Sequence, residues 1–248
     1  MIIVSLLFTL TAGAQTVNVH KTDGTILTIN ANEFDYIDFS AAGEPRPGTG
    51  HTPEGAVAVD LGLPSGTKWA NMNVGAEKPE DYGLYFAWGE TVGHTGDISD
   101  GRLFDWASYK WCNGSEDSLV KYAIVNNKIV LDLEDDAAYV NWGSDWRMPT
   151  LTEIKELLDN TTFERIIQNG VNGCKLKSKI NGNSIFLPAA GSRWESSLDN
   201  TGTEGIYWSS TLYESNPGGA YALWFINRDL FREGSSRAGG NTIRPVRQ

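Results

Sequence analysis

Residues 220–227 read Ala-Tyr-Ala-Leu-Trp-Phe-Ile-Asn, and this run constrains the fold more than any other stretch of the chain. A strand has a period of two, so Tyr221, Leu223 and Phe225 share one face and Ala222, Trp224 and Ile226 the other. One face must be core. The other also carries large apolar groups and leads into a polar, Arg-rich segment. Such a strand is either buried on both sides or presents one side to a partner.

The 248 residues leave room for one domain of fair size plus an appendage. Nine Trp, nine Tyr and nine Phe can build a substantial core, and 27 Gly point to a loop-rich fold. A formal net charge of -11 argues against general nucleic-acid binding. Residues 222–248 differ locally: Arg228, Arg232, Arg237, Arg244 and Arg247 stand against Asp229 and Glu233, a net of +3 (5 − 2).

The apolar run Ile2 to Leu10 ends in Thr11-Ala-Gly-Ala-Gln15, an h-region followed by a small-residue cleavage site. This predicts a signal peptide over residues 1–14 and an exported protein. The run is too short to span a bilayer. No Cys follows the site, which argues against a lipid anchor there. Cys112 and Cys174 either pair across a long loop or stay as free thiols, and spacing does not decide between them.

Alternation on both sides of Asp23-Gly24 predicts a hairpin, with further alternation from Glu33 to Phe39, so residues 15–40 form a small β unit. Residues 41–55, rich in Gly, Pro and Thr, read as a linker, and residues 56–248 as the main domain. Within it, one short helix is predicted near Glu134 to Trp142, stopped by Gly143. A second starts at Thr150, where Thr150-Leu-Thr-Glu153 forms a capping box and Leu151, Ile154, Leu157 and Leu158 fall on one face. Residues 91–120 read as irregular, anchored by Trp106, Tyr109 and Trp111. Short strands follow around 184–190, 206–210, 220–227 and 241–247.

Catalytic signals are weak. His20, His51 and His94 stand apart, and neither a metal-ligand spacing nor a phosphate-binding Gly loop is found. Glu134-Asp135-Asp136 lacks the spacing of an EF-hand and suits a helix start. Trp142 and Trp146 read as core, and Arg147 as a partner for internal carbonyls or a carboxylate. Arg244 and Arg247 read as parts of a closing strand. No metal, no cofactor and no enzymatic activity are expected.

Several separated motifs resemble one family, the Fibrobacter succinogenes major paralogous domain, common in Bacteroidetes-type bacteria. They are Val59-Asp-Leu-Gly-Leu-Pro-Ser-Gly-Thr-Lys-Trp-Ala70, Leu84-Tyr-Phe-Ala-Trp-Gly-Glu90, Tyr109-Lys-Trp-Cys-Asn-Gly114 and Asn141-Trp-Gly-Ser-Asp-Trp-Arg-Met-Pro-Thr150. Ile185-Phe-Leu-Pro-Ala-Ala-Gly191, Tyr207-Trp-Ser-Ser-Thr211 and Ile243-Arg-Pro-Val-Arg247 complete the set. The resemblance covers roughly residues 56–248. It implies an α+β, C-type-lectin-like fold with short antiparallel strands, two helices and long loops. That fold is shared by formylglycine-generating enzymes and by the variable proteins of diversity-generating retroelements. In the latter, variable codons lie between a Tyr-Trp-Ser-Ser-like and an Arg-Pro-Val-Arg-like motif. Here that bracket would enclose Ala222, Trp224, Ile226 to Arg228, Phe231 to Ser236, and Ala238. The cysteines match no formylglycine-generating motif, so that activity is not carried over.

The expectation is therefore an exported, non-catalytic protein that binds a protein or glycan ligand at a surface. Its contact residues would be Tyr213, Ala222, Trp224, Ile226, Asn227, Arg228, Phe231, Arg232, Glu233, Ser235 and Ala238, since exposed Trp, Phe and Arg dominate hot spots and Tyr, Ser and Asn adapt to partners. The competing reading is a structural module whose apolar patch packs on another subunit.

Overall fold

The computed structural model describes residues 16–20, 25–30, 50–123 and 128–248. The chain divides into two units, Met1–Glu44 and Pro45–Gln248. In the first, β1 (Thr16–His20) pairs antiparallel with β2 (Ile26–Asn30), from Thr16↔Asn30 to His20↔Ile26, as a hairpin requires. The expected turn at Asp23-Gly24, the alternating segment Glu33 to Phe39 and the signal peptide lie outside the described residues.

The second unit begins earlier than the expected boundary at residue 56. Gly50 N–H donates to the Val140 carbonyl at 3.2 Å. The Thr52 hydroxyl donates to the Trp142 carbonyl at 3.1 Å and accepts from the Trp146 indole at 2.9 Å. Residues 50–55 are thus fastened to the domain, and their composition alone misplaced the boundary.

This unit is built mostly of antiparallel strands with two α-helices, an α+β architecture. Helix α1 (Ala137–Trp142) starts at Asp136, whose carboxylate accepts from the Ala138 and Tyr139 amides, and stops at Gly143. Helix α2 (Leu151–Asn160) has the expected capping box: Thr150 accepts from the Glu153 amide and Glu153 reaches back to the Thr150 amide. Its apolar side buries Ile154 and Leu157.

Two short strands, β3 (Ala58–Val59) and β4 (Lys68–Ala70), pair with each other, and the chain ends on β4's other side. After α2 comes a hairpin that alternation had not marked, β5 (Thr161–Gln168) and β6 (Val171–Ser178), extended by β7 (Ser184–Pro188). Its turn is Asn169-Gly170, both at positive φ (49° and 84°), the geometry that a two-residue hairpin loop prefers. A two-stranded ribbon, β8 (Ser192–Trp194) with β9 (Ser197–Asp199), follows.

The last sheet is β10 (Glu204–Leu212), β11 (Gly219–Ile226) and β12 (Asp229–Ser236), in that order. The chain closes with β13 (Val246–Arg247) on β4. Strand β12, like β8 and β9, is an element the sequence pattern had not marked.

The sheet of β10, β11 and β12 answers the question posed by the two-faced run. Tyr207, Leu223 and Phe225, with Leu230 at the margin, join Ile154, Leu157, Leu176 and Leu187 in one apolar cluster. Ile206, Trp208, Ala220 and Ala222, with Trp224 at the margin, join Phe86, Trp88, Trp142 and Trp146 in another. The strand is therefore core on both faces for most of its length. Gly205 permits the first packing, because a Cβ there would lie 2.3 Å from Phe225 Cε1. The Phe225 ring instead stacks on Tyr207 at 6.3 Å between centroids. A third cluster gathers Tyr85, Phe104, Tyr109 and Ala238, with Trp106 and Trp111 at its rim, so the expected anchors of the irregular segment do anchor it.

Glu153 links α2 to two other parts of the unit. It takes a two-pronged bond from Arg147 (2.7 and 2.5 Å) and one from the Thr67 hydroxyl (3.0 Å). Burial opposes its charge, but the Arg147 fork and the Thr150 donors outweigh burial and hold the carboxyl below its ordinary range. Stability from this group is present above the usual Glu pKa and is lost as pH falls through the lowered one. Glu153→Gln is expected to cost about 3 kcal/mol at pH 7. Urea denaturation across pH should show the gap narrowing below about pH 4. A gap independent of pH would mean that the charge is not what matters.

Candidate functional site

Residues directly opposite in an antiparallel pair share a face, so the register maps one surface row by row. Glu204, Ile226 and Asp229 form one row, Ile206, Trp224 and Phe231 the next, and Trp208, Ala222 and Glu233 the third. Trp224 and Phe231 are each half-buried and stacked, with ring centroids 6.0 Å apart and planes 21° from parallel. The Trp224 indole N–H points to a Glu204 carboxylate oxygen at 3.4 Å. Ile206, Trp208 and Ala222 lie under the core, while Ile226, Trp224, Phe231 and Glu233 are reachable. The accessible part of this face is thus one corner of the sheet.

The corner ends in a tight turn. Ile226 pairs with Asp229, leaving Asn227 and Arg228 as a two-residue loop. Asn227 sits at φ 52°, a left-handed conformation that Asn tolerates better than most residues. Asn227, Arg228 and Asp229 are all exposed.

Other expected contact residues fall elsewhere. Ala222 and Ala238 are fully buried at 0% exposure, one between the sheet and the Trp-rich cluster, the other against Tyr85 and Phe104. Neither can touch a ligand at the surface. Tyr213 meets Tyr221 edge-on at 4.8 Å and lies where a Cβ on Gly234 would be, 2.6 Å from its ring, so it belongs to the opposite face of the sheet. Arg232, out of phase with Phe231 and Glu233, also points to that opposite face. Ser235 lies one row beyond Glu233 and its hydroxyl accepts from Asn241 at 3.0 Å.

The basic character expected of residues 222–248 is only partly a surface property: Arg228 and Arg232 are exposed, but Arg237 and Arg244 are buried. Arg237 is 0% exposed. It donates to the Tyr109 hydroxyl (3.0 Å) and to the carbonyls of Tyr122 (3.0 Å), Pro217 (3.1 Å) and Lys121 (2.9 Å). Its guanidinium also lies over the Trp88 ring at 4.9 Å. Arg244, fully buried too, donates to Asn73 and the Ala70 carbonyl, and burial lowers its pKa to about 10. Arg247 lies over the Trp146 ring at 5.4 Å and 3.9 Å from Asp145. Only Arg228 of the five stands at the corner.

Elsewhere the chemistry is structural. His94 is not isolated: its Nδ1 is 3.0 Å from Asp100. That carboxylate already takes two bonds from buried Arg193, which holds it well below the usual carboxylate range. Asp132, Glu134 and Asp135 converge within 4.8 Å, but the Lys121 ammonium stands 3.3, 3.2 and 2.6 Å from them. A cation of the chain itself thus fills the place where a metal would bind. Asp136, the third acid of the run, caps α1 and Met148. Both cysteines are free thiols, and burial pushes Cys174 far up. A cleft of about 370 Å³ lies among Tyr139, Trp146, Arg147 and Arg247, where Arg147 is committed to Glu153.

These observations define an α+β domain of antiparallel sheets with a half-buried aromatic pair at one sheet corner. No family model, curated protein or solved structure matches the chain.

Replacing Arg237 with Met would keep much of its bulk but leave three carbonyls without their donor. A loss of about 3 kcal/mol or more is expected, and a fall in Tm of roughly 6–12 °C. Arg228→Met should stay within about 0.5 kcal/mol. Thermal and urea unfolding of the two variants side by side checks the contrast.

Proposed function

We propose that this is a non-catalytic ligand-binding protein, exported to the cell surface or beyond. In this reading the second unit has the C-type-lectin-like fold of the Fibrobacter succinogenes major paralogous domain family that its motifs resemble. The binding surface is the corner formed by Trp224, Phe231, Ile226, Asn227, Arg228 and Glu233. Ala222, Ala238, Tyr213 and Arg232 are not part of it.

The observation that carries this reading is the half-exposed Trp224–Phe231 stack beside an exposed two-residue turn. Large rigid aromatics lose little conformational entropy when a partner covers them, and they bury much area for each residue fixed. The corner lies at the end of the sheet remote from the Arg237 anchor, which follows β12 in the chain, so its side chains can differ without disturbing that anchor. Such an arrangement suits a retroelement-diversified surface and a fixed one alike. No helix among the described residues is long and apolar enough to cross a membrane.

The test begins with a glycan array and a displayed peptide library. Ligands recovered with the full chain are then measured against Trp224→Ala and Phe231→Ala. Each variant should weaken binding by about 30-fold or more, the effect of losing a hot-spot aromatic. Trp224→Ala should also lower stability by about 2–3 kcal/mol while leaving the protein folded. Ligands that bind both variants as tightly as wild type would overturn the proposal. So would a stable oligomer in which Trp224 is shielded by a second copy.

A further inference from the structure

Three carboxylates surround the half-buried aromatic pair. Glu204 and Asp229 lie in the row on one side of Trp224 and Phe231, and Glu233 in the row on the other. Asp229 and Glu233 are exposed and Glu204 half-buried. Among the described residues, none of the three is within ion-pairing distance of a Lys or Arg. By contrast, Asp100, Asp132, Asp135 and Glu153 each have a cationic partner. On the face of the aromatic pair the three carboxylates thus outnumber Arg228, while the other nearby cation, exposed Arg232, lies on the opposite face of β12 by alternation.

Strand β12 adds a second feature. It is an edge strand, with β11 on one side and no strand on the other among the described residues. The Gly234 amide donates to the carboxylate of its neighbour Glu233 at 3.0 Å instead of to β11. By alternation the backbone of Leu230 and Arg232 also faces outward from the ladder, while beyond them the Ser236 carbonyl is taken by the Gly239 amide at 3.0 Å. An outward row of backbone groups is a template for an added strand.

We propose that the partner is a polypeptide presenting Lys or Arg along an extended segment, which lies against the outer edge of β12. Its alternate side chains then fall beside Asp229, Phe231 and Glu233 in turn, since both strands repeat every two residues. A cationic head there meets a carboxylate and an aromatic ring together, the two groups that attract a Lys or Arg most strongly at a surface. A neutral glycan would satisfy the rings but leave three carboxylates without counter-charge. An anionic membrane surface would be repelled by them. This inference rests on the corner being the binding surface.

The probe is a decapeptide alternating Lys with Thr, titrated into the full chain at 50 mM and 300 mM NaCl. A peptide with Glu in place of Lys and a Thr-Ser peptide serve as controls. The expected result is a shift of the Trp224 indole N–H and of the β12 amides in the NMR spectrum, with the Lys peptide only. Affinity should fall about tenfold or more in the triple variant Glu204→Gln, Asp229→Asn, Glu233→Gln. The triple variant Glu54→Gln, Glu77→Gln, Glu195→Gln removes the same charge elsewhere and should bind as wild type does. N-methylation of alternate peptide amides should abolish binding in one phase of the alternation and not in the other.

Equal binding by the two triple variants, or Lys-peptide shifts that avoid β12, would overturn the inference. If Trp224 and β12 respond instead to a neutral glycan or to the Thr-Ser peptide, the corner remains a binding surface and only the cationic partner is lost. If no probe moves them, both readings fall.

Discussion

The buried guanidinium of Arg237 is the interaction on which the rest of this architecture turns. Among the described residues it has no carboxylate partner. Four hydrogen bonds to a tyrosine hydroxyl and three main-chain carbonyls, with an indole face beside it, replace the water it has lost. Using its donors this fully offsets much of the cost of burying a cation. The carbonyls come from segments more than a hundred residues upstream (Lys121 and Tyr122) and from the loop before β11 (Pro217). One side chain thus fixes an irregular segment that has little regular hydrogen bonding of its own. Arg193 does the same with Asp100 and the carbonyls of Thr95 and Arg102.

The same device determines the surface charge. Arginines that would have made the C-terminal segment basic are spent inside, where their planar forks collect carbonyl oxygens that strands and helices leave unpaired. Acids close to them in sequence stay outside, because a carboxylate only accepts and finds few free donors in a core rich in carbonyls. The electrostatics of the sheet corner is therefore a by-product of how the loops are held. Counting charges along the chain gives the opposite sign.

Helices were legible because their signals are local. Thr150 and Glu153 act over three residues, Asp136 caps its own next turn, and Gly143 ends the one after it. The two-faced strand was also legible, and its alternation holds in the register. The hairpin of β5 and β6 was announced by Asn169-Gly170, a turn signal of the same kind as Asp23-Gly24, but its flanking strands are too mixed in polarity to stand out. Strand β12 lacks alternation because it is an edge held by pairing with β11, and pairing is not written in its own side chains. The burial of Ala222, Ala238 and Arg237 depends on partners far away in sequence. No window of a few residues contains that information: of the eleven expected contact residues six lie at the corner, two on the opposite face, two inside, and Ser235 one row beyond Glu233.

What makes the corner a credible place for recognition is the division between its foundation and its rim. Ile206, Trp208, Ala222, Leu223 and Phe225 lock the sheet from both sides, so the backbone at Trp224 and Phe231 has little freedom to rearrange. The rim beyond them, from Ile226 through Glu233, is paired along its backbone but has few side-chain bonds, and it ends in a turn that its two pairing strands define. A rigid base limits the entropy lost when a partner binds. It also confines the cost of a changed side chain to that side chain. The alternation that first marked residues 220–227 thus has two consequences: along most of the strand it builds two cores, and only where the second core runs out does it leave an aromatic surface exposed.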